Sequence, residues 1–329
     1  MKVAVIDDYQ NTFTEMAAYP LLKGHEVTVF PEPERDTDRL VAKLQGFDAV
    51  VLTQQRTFFP RALIERLPDL KLIAQTTGTA HIDLEACTEH GIVVSAGSNA
   101  RGLPNDTAEL TWALILASVR HIPFEVDALK QGKWQTTNGI SLYGRTLGIY
   151  ALGNIGSVVA AAGKAFGMRV LCWGRDASLR HAEELGYEVA KSREAFFEDS
   201  DIISIHLPLS ASTRGIVTAE DLGRMKADAL VVNTSRAGLI AEGALESSLK
   251  AGRPGFAAVD VFEEEPVVNA DHPLLHMDNV VATPHLGYVT RDRYETMYAG
   301  CVDHVVAFVV KRKRRHVVVI QRRVAHMFD

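Results

Sequence analysis

Thr146-Leu147-Gly148-Ile149-Tyr150-Ala151-Leu152-Gly153-Asn154-Ile155-Gly156, continuing into the alanine-rich run to Phe166 and Gly167, decides the reading of this chain. Thr146–Leu152 reads as a short buried strand, and Ile155–Phe166 as a helix that Gly167 ends. The six residues 151–156 between them have the G-x-G-x-x-G spacing of a dinucleotide turn, with alanine in the first glycine place. Gly153 lets the backbone approach a pyrophosphate, and Gly156 lets the helix pack closely on the sheet. The start of the helix presents free N–H groups and the positive end of its dipole to the anion. Gly153, Asn154, Ile155 and Gly156 are therefore the candidate pyrophosphate residues. Such glycines also occur in ordinary turns; the strand before and the helix after give them their meaning. Ala151 places a Cβ where a tight turn prefers none, which predicts shifted or weakened cofactor binding without its loss.

Outward from this turn, β-branched runs alternate with helical stretches, the pattern of parallel sheets covered by helices. One series is Lys2–Asp7, His25–Phe30, Asp48–Thr53, Leu70–Thr77 and Ile92–Ala96. The other is Thr146–Leu152, Arg169–Trp173, Asp201–Leu207, Ala229–Thr234, Phe256–Phe262 and Val280–Thr283. The fold class is α/β with doubly wound parallel sheets. Between the series, Thr107 to about His121 reads as a helix apolar on most sides, with Asp106 and Glu109 placed as a capping box. It reads as a connector between the two halves. A last helix, Arg291 to about Val310, follows the second series.

Composition is compatible with this and excludes some classes. The 329 residues accommodate about two domains, and 47% hydrophobic with 23% charged residues is the balance of a soluble globular chain. A net charge of -6 argues against a general nucleic-acid binder. No apolar run reaches the roughly 18–20 residues of a membrane helix. No secretory signal is visible at Met1, and Cys87, Cys172 and Cys301 are too scattered for a disulfide framework, so a cytoplasmic location is expected. Lys311–Arg315 is a basic run, His316–Ile320 an apolar one, and Arg322 and Arg323 follow. They read as a solvated helix end and an edge strand, with an anion-binding patch as the other reading.

The second strand after a dinucleotide turn normally ends in an acidic residue for the adenosine ribose, about 20 residues past the glycines. Here Arg169–Trp173 is followed by Gly174 and Arg175. A carboxylate would repel a 2′-phosphate, whereas a guanidinium grips it. NADP is therefore favoured over NAD, with Asp176 one step too late to be the obvious ribose ligand. Pro208 shapes the wall of the adenine pocket or simply ends its strand.

Three later strand ends carry the chemistry. Asn233-Thr234-Ser235-Arg236 ends one, Asp260-Val261-Phe262-Glu263-Glu264-Glu265-Pro266 the next, and Thr283-Pro284-His285 the last. In open α/β sheets ligands sit beyond the carboxyl ends of the strands, so Arg, Glu and His are expected to converge there. Each alone has a plain structural reading; their order behind a dinucleotide turn is what points to a site. His272 and His276 are four apart, but Pro273 interrupts them and no third ligand is evident, so no metal is expected.

With these motifs in hand, the chain resembles the D-isomer-specific 2-hydroxyacid dehydrogenase family, from the first strand to about residue 310. The resemblance implies a Rossmann cofactor domain, residues 99–290, inserted in a flavodoxin-like substrate domain made of residues 1–98 and 291–329. It implies Arg236, Glu265 and His285 as catalytic residues and Asp260 as the partner of the nicotinamide carboxamide, with Thr234 beside the cofactor. It matches the substrate-carboxylate loop to Thr77-Gly78-Thr79-Ala80, where the backbone at Gly78 and Thr79 would hold the acid. Arg56, after the third strand, is a substrate contact or a surface salt bridge. A homodimer through the region Thr107–Gly144 is also implied.

The chemistry needs these residue types. Hydride transfer to a keto carbon builds negative charge on its oxygen, which a protonated His285 relieves by giving a proton. Glu265 orients the imidazole and favours its charged form. Arg236 holds the substrate carboxylate and polarises the carbonyl. The expected function is an NAD(P)-dependent oxidoreductase of a small 2-keto acid and its D-2-hydroxy acid. The alternatives are a nucleotide-sensing, corepressor-like binding protein and a dehydrogenase of another donor such as formate or phosphite.

Overall fold

A computed structural model describes residues 1–96 and 105–313 of the chain, with side chains to Val310. It divides into two compact units: residues 1–102 with 290–329, and residues 103–289.

The first unit is built on β1 (Lys2–Ile6), β2 (Glu26–Phe30), β3 (Ala49–Leu52), β4 (Leu72–Gln75) and β5 (Val93–Ala96). They form one parallel sheet in the order β2-β1-β3-β4-β5, the flavodoxin-like order. Strands such as Ala49-Val50-Val51-Leu52 are apolar throughout because both faces of the sheet are covered. The last helix, Arg291–Lys313, returns to this unit and packs on β4 and β5. There Tyr298, fully buried, shares a 3.0 Å hydrogen bond with Thr53.

The second unit is built on β6 (Thr146–Tyr150), β7 (Arg169–Trp173), β8 (Glu188–Val189), β9 (Ile202–Ile205), β10 (Leu230–Asn233), β11 (Phe256–Val259) and β12 (Val280–Ala282). The order β8-β7-β6-β9-β10-β11-β12 is that of a dinucleotide-binding sheet with one strand added at the far edge. β8 was not expected from the sequence: at two residues it has no periodicity to read.

The first helix of this unit corrects two expectations. It begins at Asn105, so Asp106 lies inside the first turn, where its charge still favours the positive end of the helix dipole. It is also not a free connector. It packs on the helix Asn154–Ala165 and on β10, β11 and β12. Trp112, Leu114, Ile115 and Val119 are buried there, each contributing roughly 1.5–3 kcal/mol. Its apolar character all round reflects a place inside the second unit. Trp112 Nε1 also donates to the Val159 carbonyl at 3.2 Å.

Residues 311–313 of the basic run continue the last helix; the rest of that run, the apolar run and the two arginines after it lie outside the described residues. No described helix is long and apolar enough to cross a membrane.

Candidate active site on the strand ends of the second unit

The turn after β6 adopts the expected geometry despite its alanine. Ala151 sits at φ 75°, in the left-handed region, which costs a residue with a Cβ about 1–2 kcal/mol. Its N–H donates to the Trp173 carbonyl at 2.7 Å and its carbonyl accepts from Gly153 N–H at 3.0 Å. A Cβ on Gly156 would lie 2.6 Å from that carbonyl, so only glycine fits the helix against the turn. A Cβ on Gly153 would meet nothing within 4 Å. Open space beside the first turn of a 12-residue helix, whose first residues are Asn154 and Ile155, fits a pyrophosphate. Ala151→Gly is expected to raise stability by about 1 kcal/mol, since relief of strain exceeds the added freedom of the unfolded chain. Urea unfolding tests this; a lower midpoint would show that the methyl packs usefully.

The sequence does not announce Ser178, whose Oγ accepts the Leu152 N–H at 2.6 Å and braces the turn. A Cβ on Gly174 would lie 3.0 Å from the same Oγ and 3.4 Å from Ala151 Cα, so Gly174 keeps β7 and the turn close. Arg175 is exposed, and its Nη2 donates to Ser212 Oγ at 2.9 Å. Pro208 is exposed after β9, its carbonyl accepting from Thr213 Oγ1 at 2.6 Å. Thr234 is buried, its hydroxyl paired with Thr111 at 2.8 Å. Because the Thr111 hydroxyl donates to the Thr107 carbonyl at 2.7 Å, Thr234 donates to Thr111 and its oxygen keeps lone pairs that can accept from a ligand.

The three strand ends bring Arg236, Glu265 and His285 together. After β10, Asn233 Nδ2 donates to the Arg236 carbonyl at 2.9 Å and Asn233 Oδ1 accepts from Ser235 N–H at 3.0 Å. This folds the turn so that Arg236 stands exposed at its tip. After β11, Phe262 N–H donates to Glu265 Oε1 at 2.9 Å. The other oxygen, Oε2, lies 2.5 Å from His285 Nδ1. His285 Nε2 has no hydrogen-bond partner among the described residues. Burial pushes the Glu265 carboxyl up, but the hydrogen bond and charge of His285, the Phe262 N–H and the charge of Arg236 together hold it below the usual range. The side chains of His285 and Glu265 are 27% and 32% exposed, enough for a small ligand to reach them.

His285 itself has φ 54°. A histidine is held there only where its surroundings over-determine it. The holder is Asp260, fully buried, whose Oδ1 accepts from Thr283 Oγ1 at 2.6 Å and Leu286 N–H at 2.7 Å, and whose Oδ2 accepts from Gly287 N–H at 2.8 Å. Thr107 in the first helix adds a 2.8 Å bond to the Gly287 carbonyl. Burial raises Asp260 above the usual carboxylate range, and these bonds with the charge of His285 only partly oppose it. Asp260, expected as a partner of the cofactor, thus also grips the loop that carries His285.

In the first unit, considered by itself, Gln75 is buried behind the loop Thr77–Ala80. Its Nε2 donates to the Gly78 carbonyl at 3.0 Å and lies 3.2 Å from His81 Nε2. His81 is buried, and burial lowers it to about 4, so it is a neutral structural group. The N–H groups of Gly78 and Thr79 make no hydrogen bond among the described residues, as an anion-holding loop requires. Arg56 donates to the Asp7 carbonyl and, at 3.1 Å, to Tyr294 Oη, with its guanidinium 4.1 Å from the Tyr9 ring centre.

Residues 112–287 match the D-isomer specific 2-hydroxyacid dehydrogenase, NAD binding domain. The chain is 40% identical over 258 residues to D-3-phosphoglycerate dehydrogenase of Methanocaldococcus jannaschii, a match covering 78% of this chain and 48% of that protein. The chain thus spans about half the length of that relative. It is 36% identical to hydroxypyruvate reductase of Thermotoga maritima, over 88% of this chain and 93% of that one. The solved phosphoglycerate oxidoreductase from Vibrio cholerae superposes with a TM-score of 0.90 at 45% identity, covering 94% of this chain and 99% of that one. The strand order, the turn at 151–156 and these matches agree: the chain belongs to the D-isomer specific 2-hydroxyacid dehydrogenase family, and its second unit is the family's NAD-binding domain.

Proposed function

We propose that the protein reduces a small 2-keto acid to its D-2-hydroxy acid, with NADP preferred over NAD. The observation that carries this reading is the 2.5 Å contact of His285 with Glu265, close to the charge of Arg236, on the strand ends of a dinucleotide-binding sheet. The bound nicotinamide supplies the hydride. Arg236 holds the substrate carboxylate and polarises the keto group. His285, with Nδ1 fixed by Glu265, gives the proton on Nε2 to the carbonyl oxygen as negative charge builds there. Glu265 stays ionised and supports the imidazolium.

Residues 1–98 with 291–329 act as the substrate domain and residues 99–290 as the cofactor domain. Gly78 and Thr79 offer backbone N–H groups to the acid, and Arg56 lends positive charge. Gly153, Asn154, Ile155 and Gly156 hold the pyrophosphate, and Gly174, Arg175 and Pro208 surround the adenosine. Thr234 and Asp260 border the nicotinamide. Arg175 and its neighbour Ser212 offer donors suited to a 2′-phosphate. A homodimer is supported by the exposed Phe124, Leu129 and Trp134 in the region 107–144, and a monomeric mass in solution would remove it. Cytoplasmic work fits the three buried, unpaired cysteines.

The test is oxidation of NADPH and NADH with glyoxylate, hydroxypyruvate and phenylpyruvate, by the wild type and Arg175→Ala. Turnover with a several-fold preference for NADPH that Arg175→Ala removes is expected. A preference for NADH overturns the cofactor choice. Tight cofactor binding without turnover of any acid favours a nucleotide-sensing protein.

A further inference from the structure

The loop between β11 and β12 carries Glu265, and a second histidine–glutamate contact closes it. His272 begins the 3-10 turn Pro273–His276, its Nδ1 accepting the Leu274 N–H at 3.3 Å. A nitrogen that accepts a backbone N–H carries no proton, so the proton of the neutral ring sits on Nε2. Nε2 lies 3.0 Å from Glu263 Oε2. The ring also stands edge-on to Phe262, with centroids 4.9 Å apart. Phe262 is the residue whose N–H holds Glu265 Oε1. One imidazole therefore ties both ends of the loop: Phe262 and Glu263 on one side, and the buried Leu274 on the other.

We propose that His272 and Glu263 form a positioning pair that holds Glu265 on His285. Neither touches substrate or cofactor in this account; they act through Glu265, and the proposal rests on the reading of Glu265 and His285 given above. A plain N-cap would need only the Nδ1 contact, which asparagine supplies equally well. What exceeds a cap is the Nε2 contact with Glu263, two residues before Glu265, together with the packing on Phe262. Cutting the tie removes one of the contacts that hold the loop of residues 263–272, beside the packing of Val267 on the core and the 3.1 Å contact of His276 with the Ala270 carbonyl, so that Glu265 samples positions away from Nδ1 more often. Small misplacements of this kind lower turnover without loss of fold.

The test uses the full chain with Glu263→Ala, His272→Asn, Glu265→Gln, and each of the first two combined with Glu265→Gln. Glu263 has a side chain 55% exposed, so its removal leaves folding intact. Asparagine at 272 keeps the acceptor for Leu274 and removes only the Nε2 arm and the ring. With hydroxypyruvate or glyoxylate, Glu263→Ala and His272→Asn are expected to lower kcat by about ten- to a hundredfold, with cofactor Kd unchanged. In the Glu265→Gln background they are expected to cost nothing further, because a group acting through Glu265 has nothing left to position. Without any turnover, ring-labelled histidine NMR reads the same point: the hydrogen-bonded Nδ1 proton of His285 should weaken in both variants, as in Glu265→Gln.

Equal losses in both backgrounds would make the pair merely structural and overturn the proposal. So would an unchanged kcat and proton signal in Glu263→Ala and His272→Asn while Glu265→Gln loses both. If Glu265→Gln itself changes neither, the reading of Glu265 fails and takes this proposal with it.

Discussion

His285→Ala is expected to lower kcat for 2-keto acid reduction by about 10²- to 10⁴-fold, the usual worth of a placed general acid. Cofactor binding should hold, because the groups assigned to the pyrophosphate lie at the turn 151–156 and not on the β12 loop. The Nδ1 contact with Glu265 fixes the ring, and Nε2 alone is left for the substrate. The loss should therefore fall on kcat and kcat/KM together, the mark of an interaction made in the transition state. His285→Gln should behave like the alanine variant, since a carboxamide can hydrogen-bond but cannot give up and regain a proton near neutral pH. Steady-state kinetics with cofactor Kd measured by fluorescence checks this. Turnover within about threefold of the wild type would show that His285 supplies none of that general-acid factor.

Asp260→Ala carries the largest expected effect on stability. It strands the Thr283 hydroxyl and the Leu286 and Gly287 N–H groups, all served by one fully buried carboxylate. An unsatisfied buried group costs about 1–3 kcal/mol, so a loss of about 3–5 kcal/mol is expected. Turnover should fall as well, because the left-handed His285 backbone loses what holds it. Asp260→Asn keeps one acceptor but turns an NH₂ towards a backbone N–H, and should fall between the alanine variant and the wild type. Denaturant midpoints at constant m-value measure the loss. A change below about 1 kcal/mol for the alanine variant would mean that the loop finds other partners, water included.

Much of this is legible in the sequence. Eleven strands of the observed sheets were expected near their places, because a strand buried on both faces is written as a continuous β-branched run. With a strand before it and a helix after it, Gly156 reads as the residue that lets the helix pack closely on the sheet, and the 2.6 Å approach of a Cβ there to the Ala151 carbonyl gives the reason. Strand ends and their order point to an Arg, a Glu and a His, and the family resemblance singles out Arg236, Glu265 and His285. What escaped was whatever depends on partners distant in sequence. Ser178 braces a turn 26 residues away. The helix Asn105–Val119 reads as a connector because its apolar residues do not say what they face; Thr111 meets Thr234 123 residues later. His272, which in the sequence shows only an interrupted i, i+4 spacing to His276, joins Glu263 to Leu274 across a loop.

By itself the sequence determined the α/β class, the dinucleotide turn and the residue types of the site. These follow from local rules of periodicity, glycine spacing and strand ends, each satisfied within a few dozen residues. It also showed where the turn departs from its usual form, at Ala151. Only the tertiary structure decided that this alanine is carried at φ 75° and the turn still closes. It likewise decided that Nδ1 of His285, and not Nε2, faces Glu265, and that Asp260 grips the loop between them. The physical reason is that the direction of a side chain and the tautomer of a ring are set by hydrogen-bond partners. Here those partners come from separate strand ends, which the chain brings together only when the parallel sheet forms.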